Sequence, residues 1–236
     1  MIKKGEYYYP SKDFSKKALL SDKDIYSQAE KDPIKFWDDL AKDLVWRKKW
    51  KKTFVHNPPY FEWFVGGKIN ITENCLDRHL EDKKNKVALI WEPENPEETP
   101  RYLTYYDLHR EVSRFANGLK KIGVKKGDKV IIYLPVICEA VIAMLACSRI
   151  GAIHSVVFSA FSPLSLRARI DDTGARFLIT ADGYYRRGEV IDLKKSADEA
   201  MRGSKIKKSV IVERAKNKIS WNKERDIWWK DVTKDQ

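Results

Sequence analysis

The sequence predicts a layered α/β domain with a mostly parallel sheet over residues 86–236, preceded by a helical N-terminal extension over residues 1–85. Three observations carry this. Short β-rich runs alternate with amphipathic helical runs from Lys86 onward. Glycines stop the helical runs at Gly123, Gly151 and Gly174. The segment before Lys86 is rich in lysine and aromatics and lacks that alternation. Strand, buried helix and strand with tight connections form a βαβ unit, which demands parallel strands and a right-handed crossover.

In the extension, Asp32-Pro33 supplies an N-cap and a first-turn proline, and Phe36, Trp37, Leu40 and Leu44 recur at helical spacing. An amphipathic helix suited to lie on a larger body is expected. In the run Trp46-Arg47-Lys48-Lys49-Trp50-Lys51-Lys52, helical spacing puts two indoles on one face among five cations. The first reading is indole anchors with solvated lysines, and the second is a basic aromatic surface for nucleic acid. In the main domain, residues 86–92 read as a strand with Arg101-Tyr102-Leu103-Thr104 as its partner. Thr104 caps a helix whose stripe is Leu108, Val112, Phe115, Leu119 and Ile122, closed by Gly123. Further strands are expected over 129–134, 152–158, 176–181 and 209–213. The helices between them run from 136 to 149, from Ser162-Pro163 to Gly174, and from the loop 182–188 to near Met201. Asp226-Ile227-Trp228-Trp229 reads as a last amphipathic turn.

A chain of 236 residues with 43% hydrophobic content can bury a sizeable core, which excludes disorder for most of it. The balance of 46 Lys+Arg against 34 Asp+Glu admits nucleic acid, anionic lipid and phosphorylated metabolites as partners and selects none of them. Cys75, Cys138 and Cys147 are odd in number and irregularly spaced, so neither a disulfide framework nor a metal knuckle follows. A reduced, cytoplasmic setting is expected. The start lacks the apolar stretch of a signal peptide, and Pro135 and Glu139 interrupt the longest apolar region, 130–147, so no membrane partner is expected.

Recognised catalytic motifs do not match. Gly66-Gly67-Lys68 is followed by Ile69 and has no upstream glycine, so it is not a P-loop; no G-x-G-x-x-G follows a strand. His56, His79, His109 and His154 are scattered without metal spacing, and no G-x-S-x-G elbow occurs. No catalytic set and no metal site is therefore assigned. Ligands of an open parallel sheet collect beyond the carboxyl ends of its strands, and two loops belong to that edge. Phe158-Ser159-Ala160-Phe161-Ser162-Pro163 offers small residues and a helix start whose first amides could meet an anion. Asp182-Gly183-Tyr184-Tyr185-Arg186-Arg187-Gly188 offers two guanidiniums suited to phosphate oxygens. Spacing alone leaves open whether this second loop holds a phosphorylated nucleotide or is merely solvated.

Trp63-Phe64-Val65-Gly66-Gly67-Lys68-Ile69-Asn70 and Asn74-Cys75-Leu76-Asp77-Arg78-His79 resemble the entry region of AMP-forming acetyl-CoA synthetases, members of the adenylate-forming enzyme superfamily. So do Arg114-Phe115-Ala116-Asn117-Gly118-Leu119, the run from Met144 to Val156, and Asp226-Ile227-Trp228-Trp229. The resemblance runs from about residue 30 to the end, in the family's order. It implies an acetate–CoA ligase that makes acetyl-CoA, AMP and pyrophosphate from ATP, acetate and coenzyme A. It implies that Arg186, Arg187, Gly188 and Glu189 fall where the family holds the phosphorylated end of coenzyme A, and that Phe158, Ser159 and Ala160 form the adjoining loop. Two departures stand out: the family commonly has glycine at Ser159 and Ala160, and often arginine at Glu189. A glutamate there would repel phosphate.

The family's Ser/Thr/Gly-rich phosphate loop, acyl pocket and adenylation lysine have no counterpart here. The resemblance therefore implies a partial adenylate-forming domain, the N-terminal portion of the enzyme, ending before that loop. ATP and Mg²⁺ are implied for the complete enzyme only, and a second chain supplying the rest is an expected partner. A non-catalytic coenzyme A or nucleotide-binding module, and a ligase for another short acid such as propionate, are the alternatives. No specific nucleic-acid partner is expected.

Overall fold

The structure is a computed structural model describing residues 2–20 and 24–234; residues 1, 21–23, 235 and 236, which the expected ranges include, lie outside the described residues. The chain separates into two compact units, Met1–Ile69 and Asn70–Gln236.

In the first unit, Asp32 caps the helix Pro33–Ala41 by accepting from the Lys35 amide at 2.9 Å. The run after it is not helical, which corrects the expectation for 46–52. Trp46–Lys48 is a strand paired with Lys68–Ile69, and Lys52–Asn57 forms a hairpin with Tyr60–Val65. The indoles still meet, at 4.8 Å between centroids, because both close on Phe64 at 5.5 and 5.3 Å. Trp46 donates to the Ala41 carbonyl and Trp50 to the Asp38 carboxylate, both at 2.8 Å, so the rings are anchored while Arg47, Lys48, Lys49, Lys51 and Lys52 face solvent. Gly67 has a steric role, since a Cβ there would sit 2.6 Å from the Trp46 ring.

The second unit is built on five parallel strands in the spatial order Ile153–Val156, Lys129–Ile132, Phe177–Ala181, Lys208–Val212, Asp226–Trp228. The fifth strand was expected as a helical turn. Asp226 and Ile227 instead pair with Ser209 and Val210, and the helix begins only at Trp229. Buried apolar side chains fill the central strands, Val130, Ile131 and Ile132 in one and Phe177, Leu178 and Ile179 in the next, because helices cover both faces. The helix Tyr105–Lys121 packs with Cys138–Ile150, and Pro163–Thr173 packs with Leu193–Met201. Thr104 and Asp107 form a full capping box on the first of these, and Gly151 and Gly174 end two others in the left-handed conformation. Val87–Trp91 pairs with Arg101–Thr104, the partner expected for it, and the pair is antiparallel. Among the described residues, no helix is long and apolar enough to cross a membrane.

Strand order decides where a site can lie. From Lys129–Ile132 the chain moves to the neighbouring strand on one side, then crosses back to Phe177–Ala181 on the other. That reversal leaves a crevice over the carboxyl ends of these strands.

Candidate functional site

A cleft of about 350 Å³ opens at this reversal. Phe158, Ser159 and Ala160 follow the edge strand and form one wall; Tyr184, Tyr185 and Arg186 follow Phe177–Ala181 and form another. Two segments with residues 161–183 between them thus meet at one site. The Arg187, Gly188 and Glu189 segment lies just beyond the lining residues.

Tyr133 fixes the first wall. Its buried hydroxyl lies 3.0 Å from the Ser159 carbonyl oxygen and 2.9 Å from that of Phe161, donating to this carbonyl pair. Burial raises this hydroxyl to about 12, with Tyr184 adding to the rise and Ser196 opposing it, so it remains a proton donor at neutral pH. With its backbone held, the loop leaves Phe158 58% exposed at the cleft. The helix start at Ser162 behaves differently from expectation: Ser162 accepts from the Ser165 amide at 3.3 Å, and neither residue lines the cleft.

The second wall is not the open loop that was expected. Tyr184–Arg186 and Glu189–Ile191 form an antiparallel hairpin, with Arg186 directly opposite Glu189. Arg187 and Gly188, at φ 53° and 80°, are its two-residue turn, the geometry that a two-residue hairpin with a matched twist requires. Arg186 and Arg187 are exposed, and Glu189 adds an opposing charge beside them.

Asp182 anchors the base of this wall. Its buried carboxylate accepts from the amides of Gly183, Arg214, Ala215 and Lys216 at 2.7, 2.8, 2.9 and 2.6 Å. Three or more amide donors on one carboxylate compensate its removal from water. They also lock the start of the hairpin to the segment after Lys208–Val212, which delivers Arg214 to the cleft. The Arg214 guanidinium lies 5.0 Å from the Trp91 ring and 5.1 Å from the Tyr185 ring, and pairs with Glu98 at 2.7 Å. Trp91 is held in turn by donating to the Val136 carbonyl at 2.8 Å.

Arg214, Trp91 and Glu94 line the cleft and were missed from sequence. For Arg214 a signal existed, because it follows a central strand at its carboxyl end. Trp91 and Glu94 come from the hairpin and loop ahead of the sheet, which no strand-end rule reaches. Among the described residues, no cluster of three His, Cys, Asp or Glu side chains could hold a metal ion. The walls offer guanidiniums, backbone and flat rings, a set suited to binding a phosphorylated, ring-bearing ligand.

Comparison with known proteins agrees with this architecture. The model of the AMP-binding enzyme family matches residues 76–235, and that of the acetyl-coenzyme A synthetase N-terminus matches residues 22–75. Acetyl-coenzyme A synthetase of Leptospira biflexa is 50% identical over 236 residues, 96% of this chain and 36% of that protein. The Pasteurella multocida enzyme is 44% identical over 247 residues, 100% of this chain and 37% of that protein. Acetoacetyl-CoA synthetase from Streptomyces lividans shares the fold with a TM-score of 0.80 at 24% identity, over 88% of this chain and 32% of its own. The chain spans about a third of the length of the curated relatives it matches. It belongs to the AMP-binding enzyme family, and what it resembles there is the N-terminal third of the acetyl-CoA synthetases.

Proposed function

We propose that this chain is the N-terminal portion of an acetate–CoA ligase and supplies part of its coenzyme A site. Residues 1–85 are the N-terminal extension and residues 86–236 the first part of the large adenylate-forming domain. The supporting observation is the meeting of Phe158, Ser159 and Ala160 with Arg186 in one cleft at the strand-order reversal. In this reading the exposed Phe158 ring stacks on a flat base, and the small Ser159-Ala160 pair lets a slender chain run close to the backbone. Arg186 and Arg187 meet phosphate oxygens, with Gly188 and Glu189 beside them. Formation of the acyl-adenylate needs donors for ATP phosphates and Mg²⁺, and none is assigned to this chain; activity requires the part that the longer relatives possess. The buried free thiols Cys138 and Cys147 suit a reducing cytoplasm.

Calorimetric titration with coenzyme A tests this. An Arg186→Ala, Arg187→Ala double variant is expected to bind about tenfold more weakly, the scale of one lost charge-assisted hydrogen bond. Equal affinity in parent and variant would reject the assigned hairpin. Mixing the chain with the remaining two thirds of a relative and measuring acetate-dependent AMP formation tests the larger claim; association without activity would refute it.

A further inference from the structure

The hairpin turn carries a contact that phosphate binding would have to contend with. The Gly188 amide, at the turn where both residues have positive φ, donates to the Glu94 carboxylate at 3.1 Å. Glu94 comes from the loop after Val87–Trp91, 94 residues away in sequence, and it lines the same cleft as Arg186. Glu92 lines that cleft as well, and Glu189 stands across the hairpin from Arg186. An amide at a tight turn is a natural donor to an anionic oxygen. Here a side chain of the protein already supplies that oxygen, and supplies it with a full negative charge.

We propose that Glu94 is a specificity-determining residue of the cleft. Its carboxylate occupies the hairpin-turn amide and biases the site against the most highly charged phosphorylated ligands. The inference rests on the coenzyme A reading above. Its content is additional: two guanidiniums alone predict that each further phosphate tightens binding, whereas Glu94 with Glu92 and Glu189 offsets that gain. The turn amide is spoken for, and a phosphate approaching it meets a like charge. One unit charge near 4 Å corresponds to roughly a fivefold change in binding in water, fading as salt screens it.

Glu94→Gln tests this because glutamine retains an oxygen that can accept from Gly188 and removes only the charge. Calorimetric titration with coenzyme A and with 3′-dephospho-coenzyme A, which differ by one phosphomonoester, reads the ratio of affinities. The variant is expected to favour coenzyme A over the dephospho form about fivefold more than the parent does, and the gain should shrink in 0.5 M salt. Thermal melting of both proteins confirms equal folding. An unchanged ratio overturns the role of Glu94, and if the double arginine variant still loses affinity the coenzyme A reading stands without it. Weaker binding of both ligands by Glu94→Gln would make Glu94 a clasp for the hairpin and also overturn the proposal. If neither coenzyme A nor its dephospho form binds the parent, the coenzyme A reading falls, and this inference with it.

Discussion

Lys194→Ala is expected to destabilise the chain by about 3–5 kcal/mol, the cost of taking one cation out of a buried ion group and leaving a carboxylate uncompensated. The Lys194 side chain is 1% exposed, and its ammonium reaches the fully buried Asp226 at 2.9 Å and both oxygens of Asp198 at 2.7 Å. Arg225 joins the same group, bonding to Asp198 and, at 2.7 Å, to Asp226. Two cations and two carboxylates balance only while all four are present. The group ties the helix Leu193–Met201 to the fifth strand, and the Lys194 amide donates to the Asp182 carbonyl at 3.1 Å, so it also supports the anchor of the cleft. Urea unfolding at pH 7 measures the loss. Adding Asp226→Asn to the alanine variant should recover part of it; a loss below 1 kcal/mol in the single variant would show that water reaches the site.

The same group gives a pH dependence. Burial pushes the Asp226 carboxyl upward, but the hydrogen bonds from Arg225, the Asn222 amide and Lys194 outweigh it and hold the group below its ordinary 3.8. A carboxyl depressed in the fold contributes stability that is complete above its unfolded value and is lost as pH falls through its folded value. Unfolding midpoints should therefore be flat in this contribution above about pH 5 and drop below about pH 4. In Asp226→Asn that drop should be smaller, and equal acid sensitivity in both proteins would exclude Asp226 as its source.

Much of the main domain was legible because it rests on local rules. The stripe of Leu108, Val112, Phe115 and Leu119, with Thr104 before it and Gly123 after, reports its helix directly. The apolar runs at 130–132 and 177–181 are buried on both sides and short, so their composition and length mark them as strands. The fifth strand escaped because Asp226-Ile227-Trp228 is three residues long and its pairing with Ser209 to Ile211 is a tertiary fact. The helical reading of 46–52 failed for a related reason. A spacing of four between indoles fits a helix, yet here both rings are gathered by Phe64 from a distant strand.

The candidate site divides along the same line. The strand-end rule located both walls, since it depends only on parallel topology. It could not show that the second wall is a hairpin, although a signal was present. An Arg187-Gly188 pair flanked by Tyr184-Tyr185 and Val190-Ile191 is a short turn between β-formers. Glu94 lay beyond any local rule, because its contact with Gly188 joins segments that only the folded sheet brings together.

Gly118→Ala is expected to destabilise the chain by about 2 kcal/mol, although an alanine ordinarily strengthens a helix interior by about 1 kcal/mol. A Cβ at Gly118 would collide with the Val232 carbonyl oxygen and lie 2.5 Å from its Cγ1. A carbonyl cannot rotate aside as a side-chain tip can, so the helix Trp229–Thr233 must move. That helix is held by the Phe115–Trp229 stack, with centroids 3.6 Å apart, and by Arg114 donating to the Thr233 carbonyl at 3.2 Å. The stretch 114–119 is thus a docking face: cation, ring and absent side chain receive one short helix. Near-UV circular dichroism should show Trp229 losing its fixed environment in Gly118→Ala as the urea midpoint falls. Asn117→Ala, on the exposed side of the same helix, should leave the signal intact and stability level or slightly raised. An alanine at 118 that stabilises the chain with an unchanged spectrum would mean that this helix is not seated against Gly118, and the steric account of the motif would fall.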